Sequence, residues 1–320
     1  MTLRRIVAAV VVCLAAMTVG WLARPARFEI DGLSMAPGLM PRGFVTSGAL
    51  PIADRLRQPR RFERWIIDAP GDGTAIKRLM GLPGETISIT DGDLVVDGNV
   101  VLKNPSVLAE MAIEVPIAAP PVDGRHVHVA AAEVLDDVPF AAEVNRSLLP
   151  VHDVGIAAIV RSTANAVRIS ITIHDTRISW ELAAHRQACF VAGRLDGHLV
   201  ATGWRLHDES ALRDRRCLPV PTPDSWSHAE PWPMGDVAKT DAPSLSLDVV
   251  GDGAVVERLT LWRDVLYRPA ADGRDEWRLG RDEFIVLGDF PTGSRDSRHW
   301  GPLTRAAFRQ RVSEATPGSL

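Results

Sequence analysis

Residues 85–102 read ETISITDGDLVVDGNVVL. Short apolar alternations are separated by Asp91-Gly92 and Asp97-Gly98, and Asp-Gly between such runs is the strongest local hairpin signal. The same punctuation recurs at Asp196-Gly197 and Asp252-Gly253. Between them, Val167, Ile169, Ile171 and Ile173 fall on one face of an alternating run. Gly (25) and Pro (23) are frequent, which favours turns over long helices. The fold class expected is mostly β.

Working outward, Phe28 to Gly43 reads as a strand entering a tight turn, Trp65 to Ile67 as a short strand, and Phe284 to Leu287 as a buried one. From Asn104 to about Val151 periodicity is weak and prolines are frequent, so this stretch is expected to connect rather than to pack. The tail from Ser313 is expected to fray. The 320 residues can build two cores. Three segments are expected: an anchor at 1–24, a β-rich domain from 25–103 with 269–320, and an inserted β-sandwich at 104–268.

Lys+Arg number 36 and Asp+Glu 40, for a net charge of −4, which argues against a nucleic-acid partner. Ile6 to Leu22 is an uncharged apolar run flanked by Arg4, Arg5, Arg24 and Arg27. It reads as a single-pass helix in the lipid bilayer, or as a cleaved secretory signal. Cys13, Cys189 and Cys217 are too few for a disulfide scaffold. A Cys189–Cys217 bridge and two unpaired thiols both remain open. His126 and His128 form a lone HxH without further zinc spacing, so no metal is expected there.

Three clusters can carry chemistry together. Ser34, in the turn Leu33-Ser34-Met35-Ala36-Pro37-Gly38, can attack a carbonyl if a base takes its proton. Lys77, in AIKRLMGLPGE, alternates with Ile76 and Arg78. A lysine in an apolar pocket loses its proton more readily, because the ammonium is poorly solvated there. Serving as a base at pH 7 needs a pKa about three units below the usual 10.4, roughly 4 kcal/mol. The third cluster is GDFPTGSRDSRHWG at 288–301, where Asp296 and Arg298 can pair and Ser294 can orient an amine.

In order and spacing, these boxes resemble those of the type I signal peptidases, membrane-bound Ser-Lys proteases whose boxes read roughly SMxPT, KRxxGxPGD and GDNxxxSxDSRxWG. The resemblance implies Ser34 as nucleophile and Lys77 as general base, with an acyl-enzyme intermediate. It implies that Ser294 holds the Lys77 amine and that Asp296 and Arg298 brace the site. Met35 follows the nucleophile, and Gly32 stands where some members carry an oxyanion-assisting hydroxyl, leaving the Ser34 N–H as the donor. Gly38 replaces the usual Thr, Phe290 the usual Asn and Glu85 the usual Asp.

The substrates implied are preprotein signal peptides with small residues before the cut. The location implied is the bacterial inner membrane, with the catalytic domain on the periplasmic face. The insert resembles those of planctomycete-type homologues and looks like a concanavalin-like (laminin-G-like) sandwich, able to take a carbohydrate or protein ligand or to act as a spacer. Two alternatives stand beside this: a repressor-type self-cleaving Ser-Lys protease, and a catalytically degenerate envelope docking protein in which the sandwich carries the function.

Overall fold

The computed structural model describes residues 25–47, 54, 57–117, 126–128, 134–138, 147–205, 236–270 and 272–316. The apolar run at 6–22, Cys13, Cys217 and the side chains of His126 and His128 lie outside the described residues. Among the described residues, no helix is long and apolar enough to cross a membrane. The chain divides into two units: residues 1–99 with 267–320, and residues 100–266.

Strands β1 (Arg27–Glu29), β2 (Phe44–Ser47), β3 (Arg64–Ala69), β4 (Gly73–Gly81), β5 (Thr86–Thr90), β6 (Asp93–Val96) and β7 (Asn99–Val100) come first. Helix α1 (Pro105–Met111) follows, then β8 (Ile113–Val115), β9 (His126–His128), β10 (Val154–Ser162) and β11 (Val167–Leu182). Next come β12 (Gln187–Leu195), β13 (His198–Arg205), β14 (Asp236–Val250) and β15 (Ala254–Arg263). The chain closes with β16 (Glu276–Arg278), β17 (Glu283–Leu287), α2 (Ser297–Trp300), β18 (Leu303–Thr304) and β19 (Phe308–Thr316).

In the first unit the main sheet runs β1-β2-β19-β3-β4-β17-β18 and is antiparallel throughout. Alternation along the strands separates two apolar clusters. Trp65, Ile67, Leu79, Phe284, Val286 and Phe308 form one. Ile30, Met35, Leu39, Val45, Ile66 and Val312 form the other, with Ile76 packed against it. The buried Met35 therefore anchors the turn that carries Ser34. Asp252-Gly253 joins β14 and β15 of different sheets, but the other three Asp-Gly pairs make tight hairpins, as where Asp91 and Gly92 both take positive φ and Thr90 faces Asp93. That backbone suits Asp-Gly and strains most other pairs. The tail does not fray at Ser313, because β19 continues to Thr316 and pairs with Phe44.

In the second unit one sheet runs β13-β12-β10-β15-β8 and the other β11-β14-β9. Ile156, Ala158, Phe190 and Leu261 from the first meet Ile169, Ile171, Trp180, Leu247 and Val249 from the second in one core. Strand β11 doubles back on itself. Ser170 Oγ and Ser179 Oγ lie 2.9 Å apart, and Arg168 pairs with Glu181 at 3.2 Å. A straight strand would hold the two serines about 30 Å apart. The bend falls at His174, which has φ 53°.

The stretch after Asn104 is not only a connection. Helix α1 places Leu108, Ala109 and Ala112 against Ala157, Ile159, Cys189 and Trp262, on the other face of the β10 sheet. The Asn104 side chain caps it by accepting from Val107 N, and Pro105 opens its first turn. Asn before Pro at a helix start is a legible signal. Seven residues of weak periodicity concealed it.

Candidate active site

Ser34 sits in the turn between β1 and β2, closed by hydrogen bonds from Ala36 N to Leu33 O and from Leu39 N to Met35 O, each 2.9 Å. Lys77 lies on β4, paired with Trp65 of β3. Its side chain is almost fully buried, and Nζ donates to Ser34 Oγ at 2.8 Å. Burial lowers the Lys77 pKa to about 8, against the pull of Asp296 and Asp289. About a tenth of the amine is therefore neutral at pH 7, far more than for an ordinary lysine. In that form its lone pair can take the Ser34 proton across the same contact.

The acids near the lysine are held by arginines. Arg78 Nε and Nη2 donate to Asp289 Oδ1 and Oδ2 at 2.8 and 2.6 Å, with both side chains buried. Arg298 Nε and Nη2 donate to Asp296 Oδ1 and Oδ2 at 2.9 and 2.7 Å. Burial pushes the Asp296 carboxyl up, but Arg298, the Gly288 amide and the Ser294 hydroxyl outweigh it, so its pKa lies below the usual carboxylate value. Asp296 also caps α2, and Arg298 Nη2 reaches Pro291 O at 2.7 Å. Two bidentate pairs thus fix the loop from 288 to 300 beside the dyad, and neither carboxylate reaches the amine directly.

Ser294 departs from the expectation. Its buried Oγ makes no hydrogen bond to Lys77. The hydroxyl lies instead beside Asp296. Gly288 packs against both neighbours: a Cβ there would fall 2.2 Å from Ser294 Oγ and 2.5 Å from Ser34 O. The loop can pass the nucleophile turn only because Gly288 has no side chain. Gly32 has open space around its Cβ direction, so nothing steric forces a glycine there.

The departures from the family pattern fall where they cost little. Phe290 N donates to Ser34 O at 3.1 Å. That tie uses the backbone, so it survives the change of side chain, and the ring packs on Gly293. Glu85 accepts from Leu82 N at 2.7 Å and pairs with Arg61 at 2.5 Å, closing the turn after β4. Gly38 is exposed. The sequence reading missed the Arg78–Asp289 and Arg61–Glu85 pairs. All but Arg61 of these four residues stand inside the quoted boxes, and that was the available signal.

A serine hydroxyl on a turn, a buried amine in contact with it and a loop braced by two arginine–carboxylate pairs thus stand together. The family model for signal peptidase, peptidase S26, matches residues 3–133, which include Ser34 and Lys77. Over this stretch, about two fifths of its length, the chain is similar to the signal peptidase family. No match was found among the curated proteins. Ser34, Met35 and Lys77 lie within the matched span, while the loop at 288–300 lies beyond it.

Proposed function

We propose that this chain is a membrane-anchored serine endopeptidase that removes signal peptides from exported preproteins. One observation carries the reading: a buried lysine amine stands 2.8 Å from a serine hydroxyl on a separate turn. Ser34 Oγ attacks the scissile carbonyl as neutral Lys77 takes its proton. The Ser34 N–H faces the developing oxyanion, with no hydroxyl at Gly32 to assist. The ammonium then protonates the leaving amine, and the acyl-enzyme forms. Water activated by the same amine releases the signal peptide. The apolar run at 6–22 holds the chain in the inner membrane, with the dyad on the periplasmic side. The second unit serves as spacer or docking module. No cofactor enters any step.

The test uses the full chain in detergent micelles with a preprotein carrying Ala-x-Ala before the cut. Ser34→Ala and Lys77→Ala are each expected to lower cleavage by about a thousandfold or more. Native-like processing by either variant overturns the reading.

A further inference from the structure

The second unit buries a cluster of ionisable groups that no step of the proposed reaction uses. Lys103, Asp196 and Asp264 keep only 3%, 0% and 1% of their exposure. Lys103 precedes α1, Asp196 turns the β12–β13 hairpin 93 positions later, and Asp264 follows β15. Lys103 Nζ donates to Asp196 Oδ1 and, at 2.7 Å, to Asp264 Oδ2. The Lys103 backbone N–H donates to Asp196 Oδ2 at 2.7 Å. Asp264 Oδ1 is buried with no hydrogen-bond partner. Asp153 stands beside the other two acids, with carboxylate oxygens of all three within 4.8 Å of one another. Burial, and then the Asp264 carboxylate, push the Asp153 carboxyl above its usual range. An amine and a carboxyl are thus held in contact away from water, with a second carboxyl touching the same amine.

We propose that Lys103 and Asp196 condense into an intramolecular amide between Nζ and Cγ, with Asp264 as the proton carrier. Asp264 takes a proton from the ammonium and passes it to Asp196 Oδ1. The neutral amine attacks Asp196 Cγ, and the Lys103 backbone N–H on Oδ2 stabilises the oxyanion. The Nζ–Cγ bond forms, a second proton passes from Nζ through Asp264 to Oδ1, and the Cγ–Oδ1 bond breaks. One water leaves, Oδ2 remains as the amide oxygen, and Asp264 ends as a carboxylate. The ammonium and the carboxylate supply every atom, so no oxidant or activating group is needed. In water, solvation of the two ions opposes this condensation. Burial removes that solvation, and contact removes the entropy of bringing the groups together. The amide staples the segment that enters the second unit to the β12–β13 hairpin. It does not depend on proteolysis by Ser34.

The experiment is tryptic mapping of the full chain by tandem mass spectrometry. Trypsin cuts after a free lysine and not after an acylated one. The expected product is peptide 79–125 joined to peptide 195–205, lighter by one water than the two together. Lys103→Met and Asp196→Ala should each abolish the joined product. Asp264→Asn keeps both reacting groups and removes the carrier, so it should lower the yield by about a hundredfold and release peptides 79–103 and 195–205 separately. A native chain that gives only the separate peptides overturns the proposal, and so does an amide formed on peptide 264–268 in place of Asp196. Full yield from Asp264→Asn also overturns it, because the carrier is part of the step. The native map decides the matter even where a variant fails to fold.

Discussion

Two lysines, one in each unit, are equally buried at 3% exposure, yet their chemistry is opposite. Lys77 meets a serine hydroxyl, and the acids near it are engaged by Arg78 and Arg298. Burial therefore dominates, and its pKa falls to about 8. Lys103 in the second unit donates through Nζ to Asp196 and Asp264, and its own amide adds a bond to Asp196 Oδ2 at 2.7 Å. Burial pulls this lysine down too, but the Asp264 and Asp196 carboxylates overcome it and lift its pKa above the ordinary lysine value. Burial alone does not make a base of a lysine. What matters is whether the neighbouring carboxylates are already spoken for.

The strongest way to break this comparison is to remove each amine's charge without removing its volume. Lys103→Met leaves Asp196 and Asp264 buried without their cation. The expected loss is about 3–5 kcal/mol in urea unfolding of the second unit. Lys77→Met removes a charge the fold disfavours, and is expected to cost less than about 1 kcal/mol. Equal losses for the two variants would mean that the carboxylates around Lys77 are not satisfied by arginine after all.

A smaller effect sharpens the comparison through pH. The proposed mechanism requires neutral Lys77, so kcat/KM should fall tenfold per unit below about pH 8 and level off above it. The folded value lies below the unfolded one, so between about 8 and 10.5 the unfolded chain binds more protons. Stability from this group therefore rises with pH across that window. Lys103, shifted the other way, should show no titration below about pH 10. A rate profile flat from pH 6 to 9 would remove Lys77 as the base.

The smallest effect tests the bracing loop. Ser294 lies beside Asp296 and makes no bond to the amine, so Ser294→Ala should cost less than about tenfold in kcat/KM. A hundredfold loss with unchanged unfolding would show that its hydroxyl swings to Lys77 during turnover.

The site was legible to the extent that its parts are local. Ser34 in a Gly/Pro turn, Lys77 alternating with apolar neighbours and the Asp296-x-Arg298 pair are each short motifs whose residue types restrict what they can do. The Asp-Gly hairpins were legible for the same reason, since positive φ at successive residues selects those side chains. Arg78 with Asp289 was not, because 211 positions separate the partners and nothing in either neighbourhood names the other. Ser294 was assigned to the wrong partner because motif spacing fixes which loop a hydroxyl is on, and not the direction in which its χ1 turns it. Helix α1 was missed because about two turns of helix are held by packing against β10 and β12 more than by their own pattern.

By itself, the amino-acid order determined a β-rich chain, its tight turns and the identity of a serine, a lysine and a bracing loop, because those depend on backbone preference and side-chain type over a few residues. Only the folded molecule decided that the Lys77 amine gives up its proton more readily than an ordinary lysine. That outcome is set by which carboxylates lie near the amine and which guanidinium groups occupy them first, and both carboxylates, Asp289 and Asp296, come from a loop about two hundred positions beyond the amine.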